Sequence, residues 1–298
     1  MKRFIIKIGL FFIIVALMDY GYGLFSKYMV ANAHSGSTAI FNRILKENEN
    51  DLMIMGSSRC VCHYDDQLLS DSLGLRAVNV GYKGNGIILM YGRYRIIPKE
   101  HKPKLLIYDV EPSFDIVEYA NDDNNRRYLS TLKAFYEEPG ISEIFSKVDC
   151  IEPLKMHSQM YRFNSELFNL LGNYFRHDNN ESFFQPSHSQ FVEAQNEDND
   201  GILAVDSLKL YYFEKLMDET KEDGVTLIVV ASPKYSASNY EVLQPLVELC
   251  EKNEVPFWNY YLDMHDTRWF CNINHLNDDG AIEFSKIIAN RVKTELLK

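Results

Sequence analysis

Residues 51–58 read DLMIMGSS, a short apolar run that ends abruptly in a glycine and two serines. An uninterrupted apolar run followed by small polar residues is typical of a parallel β-strand that is buried on both faces and opens into a loop. The five runs of this kind predict the strands of one parallel sheet. The other four are RAVNVG (76–81), KLLIYDV (104–110), VTLIVVASP (225–233) and VPFWNY (255–260).

Helix-like segments lie between most of these strands, and alternating strands and helices indicate a parallel sheet with helices on its faces. The last segment, residues 278–298, has apolar residues at spacings of three and four. Asp278 or Asp279 can cap its start. We therefore predict a flavodoxin-like three-layer α/β fold. The other predicted helices span residues 65–73, 86–97, 206–224 and 239–253.

Residues 112–205 interrupt this alternation, because the segment is too long for a simple crossover and contains helix-like stretches. We interpret it as a mostly helical inserted subdomain. Its second half, residues 176–201, is polar, acidic and aperiodic, which favours a mobile loop or lid over a part of the core.

The N-terminus predicts membrane insertion, since Lys2 and Arg3 precede an apolar run over residues 4–18. A cleaved signal peptide and an uncleaved anchor over residues 1–27 both fit such a segment. We favour the anchor, because the residues that follow offer no clear A-x-A-like cleavage site. The basic flank should stay cytoplasmic, so the domain over residues 28–298 should face the periplasm or the exterior.

Composition argues against several classes of partner. The formal charge of -11, with no basic run, disfavours nucleic acid. The five cysteines include no CxxC pair and the histidines show no metal-site spacing, so we assign no metal. The sequence NVGYKGNG at 79–86 lacks the spacing and the acidic partner of a dinucleotide fingerprint, and no Walker A motif is present. No cofactor is implied.

Candidate reactive residues follow the predicted strands, where ligands bind in an open parallel sheet. Gly56 allows a sharp turn, and Ser58 can expose its hydroxyl at the start of the next helix. A serine in such a place is most often only a helix cap. His275 lies after the last strand and just before the closing helix, from where it could reach Ser58.

Three stretches together resemble a known family. GSSR (56–59), NVGYKGNG (79–86) and NINHLNDDGA (272–281) are similar to blocks one, two and five of SGNH (GDSL-like) hydrolases. The similarity is greatest to the membrane-anchored subset that includes DltD and the alginate O-acetylation proteins. The resemblance covers most of residues 50–298 outside the insertion, and it implies the SGNH hydrolase fold.

The resemblance also implies roles for single residues. Ser58 matches the nucleophile, His275 the general base, and Gly84 the glycine whose amide faces the oxyanion. Asn85 and Arg59 are further candidates for contact with the oxyanion or the substrate.

Two positions depart from the family pattern. Asn272 stands where the family has the aspartate that orients the histidine; an asparagine carbonyl can accept the Nδ1 hydrogen bond but supplies no charge. Asp109 and Glu111 stand at the end of the third strand, where the family usually has an asparagine that donates to the oxyanion. An ionised carboxylate cannot replace that donor.

Two functions follow as hypotheses. The first is a serine esterase or O-acyltransferase that acts on acylated cell-envelope carbohydrate through an acyl-Ser58 intermediate. The second is a catalytically weak SGNH-like module that binds glycan or docks onto a membrane-bound O-acyltransferase, as Asn272 and the altered third block suggest.

Overall fold

The computed structural model describes residues 1–47, 50–118, 129–164, 167–177, 182–193 and 204–296. They form two compact units, one of Met1–Arg43 with Leu129–Asn180 and one of Ile44–Tyr128 with Glu181–Lys298. The boundaries at residue 27 and around residues 112–205 stay predictions.

The elements are numbered along the chain. The strands are β1 (Leu52–Gly56), β2 (Ala77–Asn79), β3 (Leu105–Asp109), β4 (Thr226–Ala231) and β5 (Phe257–Asn259). The helices are α1 (Lys2–Ala31), α2 (Gly36–Lys46), α3 (Ser58–His63), α4 (Asp66–Leu73), α5 (Ile87–Ile96), α6 (Pro112–Asp115), α7 (Ile141–Val148), α8 (Glu152–Lys155), α9 (Gln159–Phe163), α10 (Leu167–Phe175), α11 (Ser207–Asp223), α12 (Gln244–Lys252) and α13 (Asp278–Glu295). Short 3-10 helices span Lys99–His101, Ser130–Phe135, Glu241–Leu243 and Thr267–Trp269.

The second unit is built on a five-stranded parallel sheet of order β2-β1-β3-β4-β5. This is the strand order of flavodoxin-like folds. All five predicted strands are present, and the predicted parallel α/β fold is confirmed. The central strand β3 is fully buried, as its uninterrupted apolar sequence requires.

Helices cover both faces of the sheet and make three layers. Phe284 and Ile288 of α13 and Leu69 of α4 join one buried cluster with side chains of β1, β3 and β4. On the other face Phe213 of α11 packs edge-on against Tyr108 of β3, with ring centroids 4.9 Å apart, and α11 contacts α5.

Local sequence explains where several helices begin, and one prediction here was wrong. The cap of α13 is the side chain of Asn277, which accepts from the amide of Gly280, and neither Asp278 nor Asp279. The predicted helix over 239–253 splits into a 3-10 turn and α12, since Pro245 favours the first turn of a new helix.

The first unit is helical in its described residues. Helix α1 contacts α9 and α10, and Met29, Phe163 and Leu170 form a small buried cluster. Within the predicted insertion, the described residues 129–164 and 167–177 are mostly helical. Helix α1 is also long and apolar enough to cross a membrane, a property it shares with signal sequences.

Residues 182–193 belong to the segment predicted as a mobile loop or lid, and they form a stretch of the second unit without helix or strand. Phe183 is buried and its amide donates to the carbonyl of Asn79. The amides of Gln185 and Val192 donate to Val61 and Cys271. The segment thus borders the end of β2, helix α3 and the loop before α13.

Candidate active site

Ser58 is the first residue of α3, immediately after the turn that ends β1. Gly56 has φ 150°, and a Cβ at this position would lie 2.4 Å from the carbonyl oxygen of Asp109 on the neighbouring strand. Only glycine fits so close an approach. Ser57 caps the helix by accepting from the amide of Arg59, which leaves the Ser58 side chain half-buried at the carboxyl edge of the sheet.

His275 reaches this serine from the loop before α13. Its Nε2 lies 2.8 Å from Ser58 Oγ, a hydrogen-bond distance, although 217 residues separate the two in sequence. The structure thus brings together the two side chains that the sequence analysis paired. Their arrangement is that of a hydroxyl nucleophile beside its base.

Asn272 holds the other side of the imidazole, with Oδ1 3.1 Å from His275 Nδ1. The same oxygen accepts from the backbone amides of Asn274 at 2.9 Å and His275 at 3.0 Å. Because a backbone N–H can only donate, these two bonds fix the amide so that its oxygen faces the ring. Nδ1 therefore carries the proton, and Nε2 is left as the acceptor for the Ser58 hydroxyl.

The surroundings of His275 weaken it as a base. Burial lowers the pKa of its imidazole to about 4, with Glu111 opposing this change and the cations of Arg59, Lys83 and Lys234 adding to it. The imidazole is thus neutral at neutral pH, as a general base must be, but it has a low affinity for the proton.

Arg59 follows the serine but points into the protein, where its side chain is 1% exposed. Its Nη1 lies 3.0 Å from Glu111 Oε2, and its Nε and Nη2 donate to the hydroxyl of Ser232 at 3.2 and 3.0 Å. These contacts tie α3 to the ends of β3 and β4. The role of Arg59 as a substrate ligand stays a prediction.

His63 forms a second link between α3 and the loop that carries His275. Its Nε2 accepts from the amide of Leu276 at 3.0 Å, so its proton resides on Nδ1, which lies 2.9 Å from Ser232 Oγ. Burial, aided by the charge of Arg59, holds the pKa of His63 well below its usual value. The neutral His63 ring thus holds the backbone of Leu276, the residue next to His275, in place.

The loop after β2 faces the same edge of the sheet. Asn79 fixes its start by donating to the carbonyls of Cys60 at 2.8 Å and Tyr64 at 3.0 Å. Gly84 has φ 70°, a conformation that favours glycine, and Asn85 Nδ2 donates to the carbonyl of Lys83 at 3.1 Å. The roles of Gly84 and Asn85 at an oxyanion stay predictions.

Two carboxylates lie at the carboxyl end of β3, and both are engaged with protein groups. Burial raises the pKa of Asp109 to about 6, and its Oδ1 accepts from the hydroxyl of Tyr64 at 2.8 Å. Burial alone would raise the pKa of Glu111 as well, but Lys234 and Arg59 hold it below its ordinary value. Glu111 is therefore ionised and forms the anionic centre behind the Ser58–His275 pair.

Sequence reasoning did not single out Ser232 or His63 as parts of this site. Ser232 follows β4, so the rule that functional groups gather at the carboxyl ends of parallel strands could have drawn attention to it. His63 gave no such signal. Among the described residues, no group of three or more His, Cys, Asp or Glu could hold a metal ion.

No protein-family model matches the sequence, and no curated protein does. Solved structures with a similar arrangement include a GDSL-like lipase from Bacteroides thetaiotaomicron (11% identity, 92% of this chain and 98% of that one, TM-score 0.38). A family two carbohydrate esterase from Clostridium thermocellum is 8% identical over 84% of this chain and 66% of that one, with a TM-score of 0.42.

A further similar structure is a mutant of an acetyl-xylooligosaccharide esterase from Geobacillus, with 13% identity over 83% of this chain and 95% of that one and a TM-score of 0.40. Similarity at this level does not extend to individual residues. The chemistry of this chain therefore has to be judged from its own side chains.

Proposed function

We propose that this protein is a membrane-anchored serine esterase or O-acyltransferase that acts on acylated cell-envelope carbohydrate. The observation that carries the proposal is the hydrogen-bonded series from Ser58 Oγ through His275 to Asn272 Oδ1, with distances of 2.8 and 3.1 Å. It supplies a nucleophile, a base in the required tautomer and a group that orients the base. The carbohydrate and the acyl group are implied by the family resemblance and the proposed membrane anchor.

In the proposed reaction Ser58 Oγ attacks the ester carbonyl while His275 Nε2 takes the hydroxyl proton. The amides of Ser58 and Gly84 would donate to the oxyanion. Collapse of the tetrahedral intermediate breaks the bond to the alcohol, which leaves with the proton from His275. Water then releases the acid from acyl-Ser58, or a sugar hydroxyl accepts the acyl group.

The first test is labelling of the full-length protein in detergent with a fluorophosphonate probe. Wild type should be labelled, whereas Ser58→Ala and His275→Ala should not, because they lack the nucleophile and its base. A Ser113→Ala variant is a matched control, since this hydroxyl donates to Glu111 Oε1 at 3.1 Å and takes no part in the proposed reaction. Labelling of Ser58→Ala as strong as that of wild type would refute the assignment.

A weakly active module that binds glycan or docks onto a membrane O-acyltransferase is the second candidate. It is favoured by the neutral partner of His275 and by the low pKa of this imidazole, about 4. Absence of labelling in a folded wild-type protein would support it. Co-purification with a membrane O-acyltransferase would then be the direct measurement.

We also propose that α1 remains as an anchor, with the N-terminus in the cytoplasm and the α/β unit outside it. The basic residues Lys2 and Arg3 support this orientation. Cys150 is exposed and the other four cysteines are buried, so a membrane-impermeant maleimide can report the side. Labelling of intact cells is expected, and labelling only after lysis would refute the orientation.

A further inference from the structure

The exposure of α1 changes abruptly at Asp19. All side chains of residues 1–18 are exposed, whereas Gly23, Ser26 and Met29 beyond this point are buried on one face. The carboxylate of Asp19 accepts from Ser158 Oγ at 2.9 Å and from the amides of Gln159 at 2.9 Å and Met160 at 2.8 Å. The start of α9 therefore lies beside the residue of α1 at which the fully exposed apolar stretch, residues 1–18, ends.

Residues 151–160 expose three apolar side chains and bury one acid, while Met156 in the same stretch is buried and His157 is exposed. Ile151, Leu154 and Met160 are 53%, 72% and 52% exposed, while Glu152 is 4% exposed. The Glu152 carboxylate accepts from Lys155 Nζ at 2.6 Å and from the hydroxyl of Tyr161 at 3.1 Å. Apolar side chains that face outward, with charges satisfied internally, are what a lipid environment favours.

The length of the apolar run at the start of α1 agrees with a lipid environment around residues 151–160. Residues 4–18 form about 22 Å of helix at 1.5 Å per residue, and the hydrocarbon core of a bilayer is about 30 Å thick. If the run alone spanned the bilayer, Asp19 would lie below the headgroups. Its three protein donors satisfy the carboxylate at such a depth without water.

We propose that Ile151, Leu154 and Met160 form a lipid-contact surface, which inserts into the boundary between headgroups and acyl chains beside α1. The inference rests on the proposed anchor and assigns a bilayer leaflet as the occupant, because the amide of Met160 binds Asp19, the residue at which the fully exposed apolar stretch of α1 ends. Lys155 fits this boundary, as its stem can lie along lipid while its ammonium pairs with Glu152. A surface of this kind holds the first unit against the membrane.

Spin labelling of the full-length protein in phospholipid nanodiscs tests the proposal. Single cysteines replace Leu154 or Met160 in a Cys150→Ser background, in which the remaining native cysteines are buried. Their nitroxides should be severalfold more accessible to oxygen than to a water-soluble nickel chelate. Asn32→Cys is the aqueous control, because Asn32 is exposed and lies about 20 Å beyond Asp19 along the helix direction. Leu10→Cys reports whether the anchor is in lipid.

The outcomes separate the two proposals. If position 10 is in lipid but positions 154 and 160 behave like position 32, the lipid-contact surface is refuted and the anchor stands. If position 10 is itself in water, the anchor fails, and the inference fails with it. Low accessibility of 154 and 160 to both reagents would indicate a protein partner, such as a second copy, and would also overturn the proposal.

Discussion

Asn272→Asp should increase the activity of this protein. The substitution places a carboxylate where the amide oxygen now lies, 3.1 Å from His275 Nδ1. The two backbone amides that bind this oxygen keep the new carboxylate in place. The imidazolium that forms when Ser58 loses its proton would then face a negative charge in a buried site.

The magnitude follows from the charge alone. An opposite charge at this distance raises the pKa of a histidine by about 1–3 units, which corresponds to about 1.4–4 kcal/mol. The expected gain in kcat/KM is therefore about tenfold to a thousandfold. Serine proteases lose about four orders of magnitude in the reverse substitution, partly through a wrong tautomer. That part of the loss does not apply here, because Nδ1 already carries the proton.

The assay is the pH profile of kcat/KM with an aryl acetate, for wild type and Asn272→Asp. Asn274→Asp is a matched control, since it adds the same charge two residues away in the same loop. Asn272→Ala should lower the rate, because the ring loses its orienting acceptor. An Asn272→Asp variant with the rate and acidic limb of wild type would refute the role given to this hydrogen bond.

Three further predictions concern pH and stability. The acidic limb of wild-type kcat/KM should have its midpoint near pH 4, because activity requires neutral His275 and its pKa is about 4; a midpoint near 6.5 would contradict the burial of the ring. Glu111→Gln should lower the free energy of unfolding in urea by about 3–5 kcal/mol, because it leaves Arg59 buried without its salt-bridge partner. Glu214→Gln removes the same charge from an exposed pair with Lys252 and should have a much smaller effect. An equal loss of stability in the two variants would refute the importance of burial for the Arg59–Glu111 pair. Gly56→Ala should destabilise by about 1–3 kcal/mol and displace Ser58, while Gly74→Ala, with no atom within 4 Å of the new Cβ, should cost less; circular dichroism melting measures both.

The sequence alone determined the architecture of the second unit. Apolar runs such as LLIY (105–108) in β3 are stabilised by burial on both faces, and this requirement is local enough to read from the order of residues. The same holds for α13, whose apolar spacing defines its buried face, although the cap is Asn277 and was predicted one or two positions later. Candidates for the nucleophile and base were also visible, because both follow strands.

How these residues interact could not be predicted without the folded structure. The hydrogen bond between Ser58 and His275 joins residues 217 apart, and the orientation of Asn272 depends on two backbone amides of a folded loop. The low pKa of His275 arises from burial and from the combined charges of several distant elements. Electrostatic and desolvation energies depend on distances in the folded protein. The order of residues along the chain does not contain these distances.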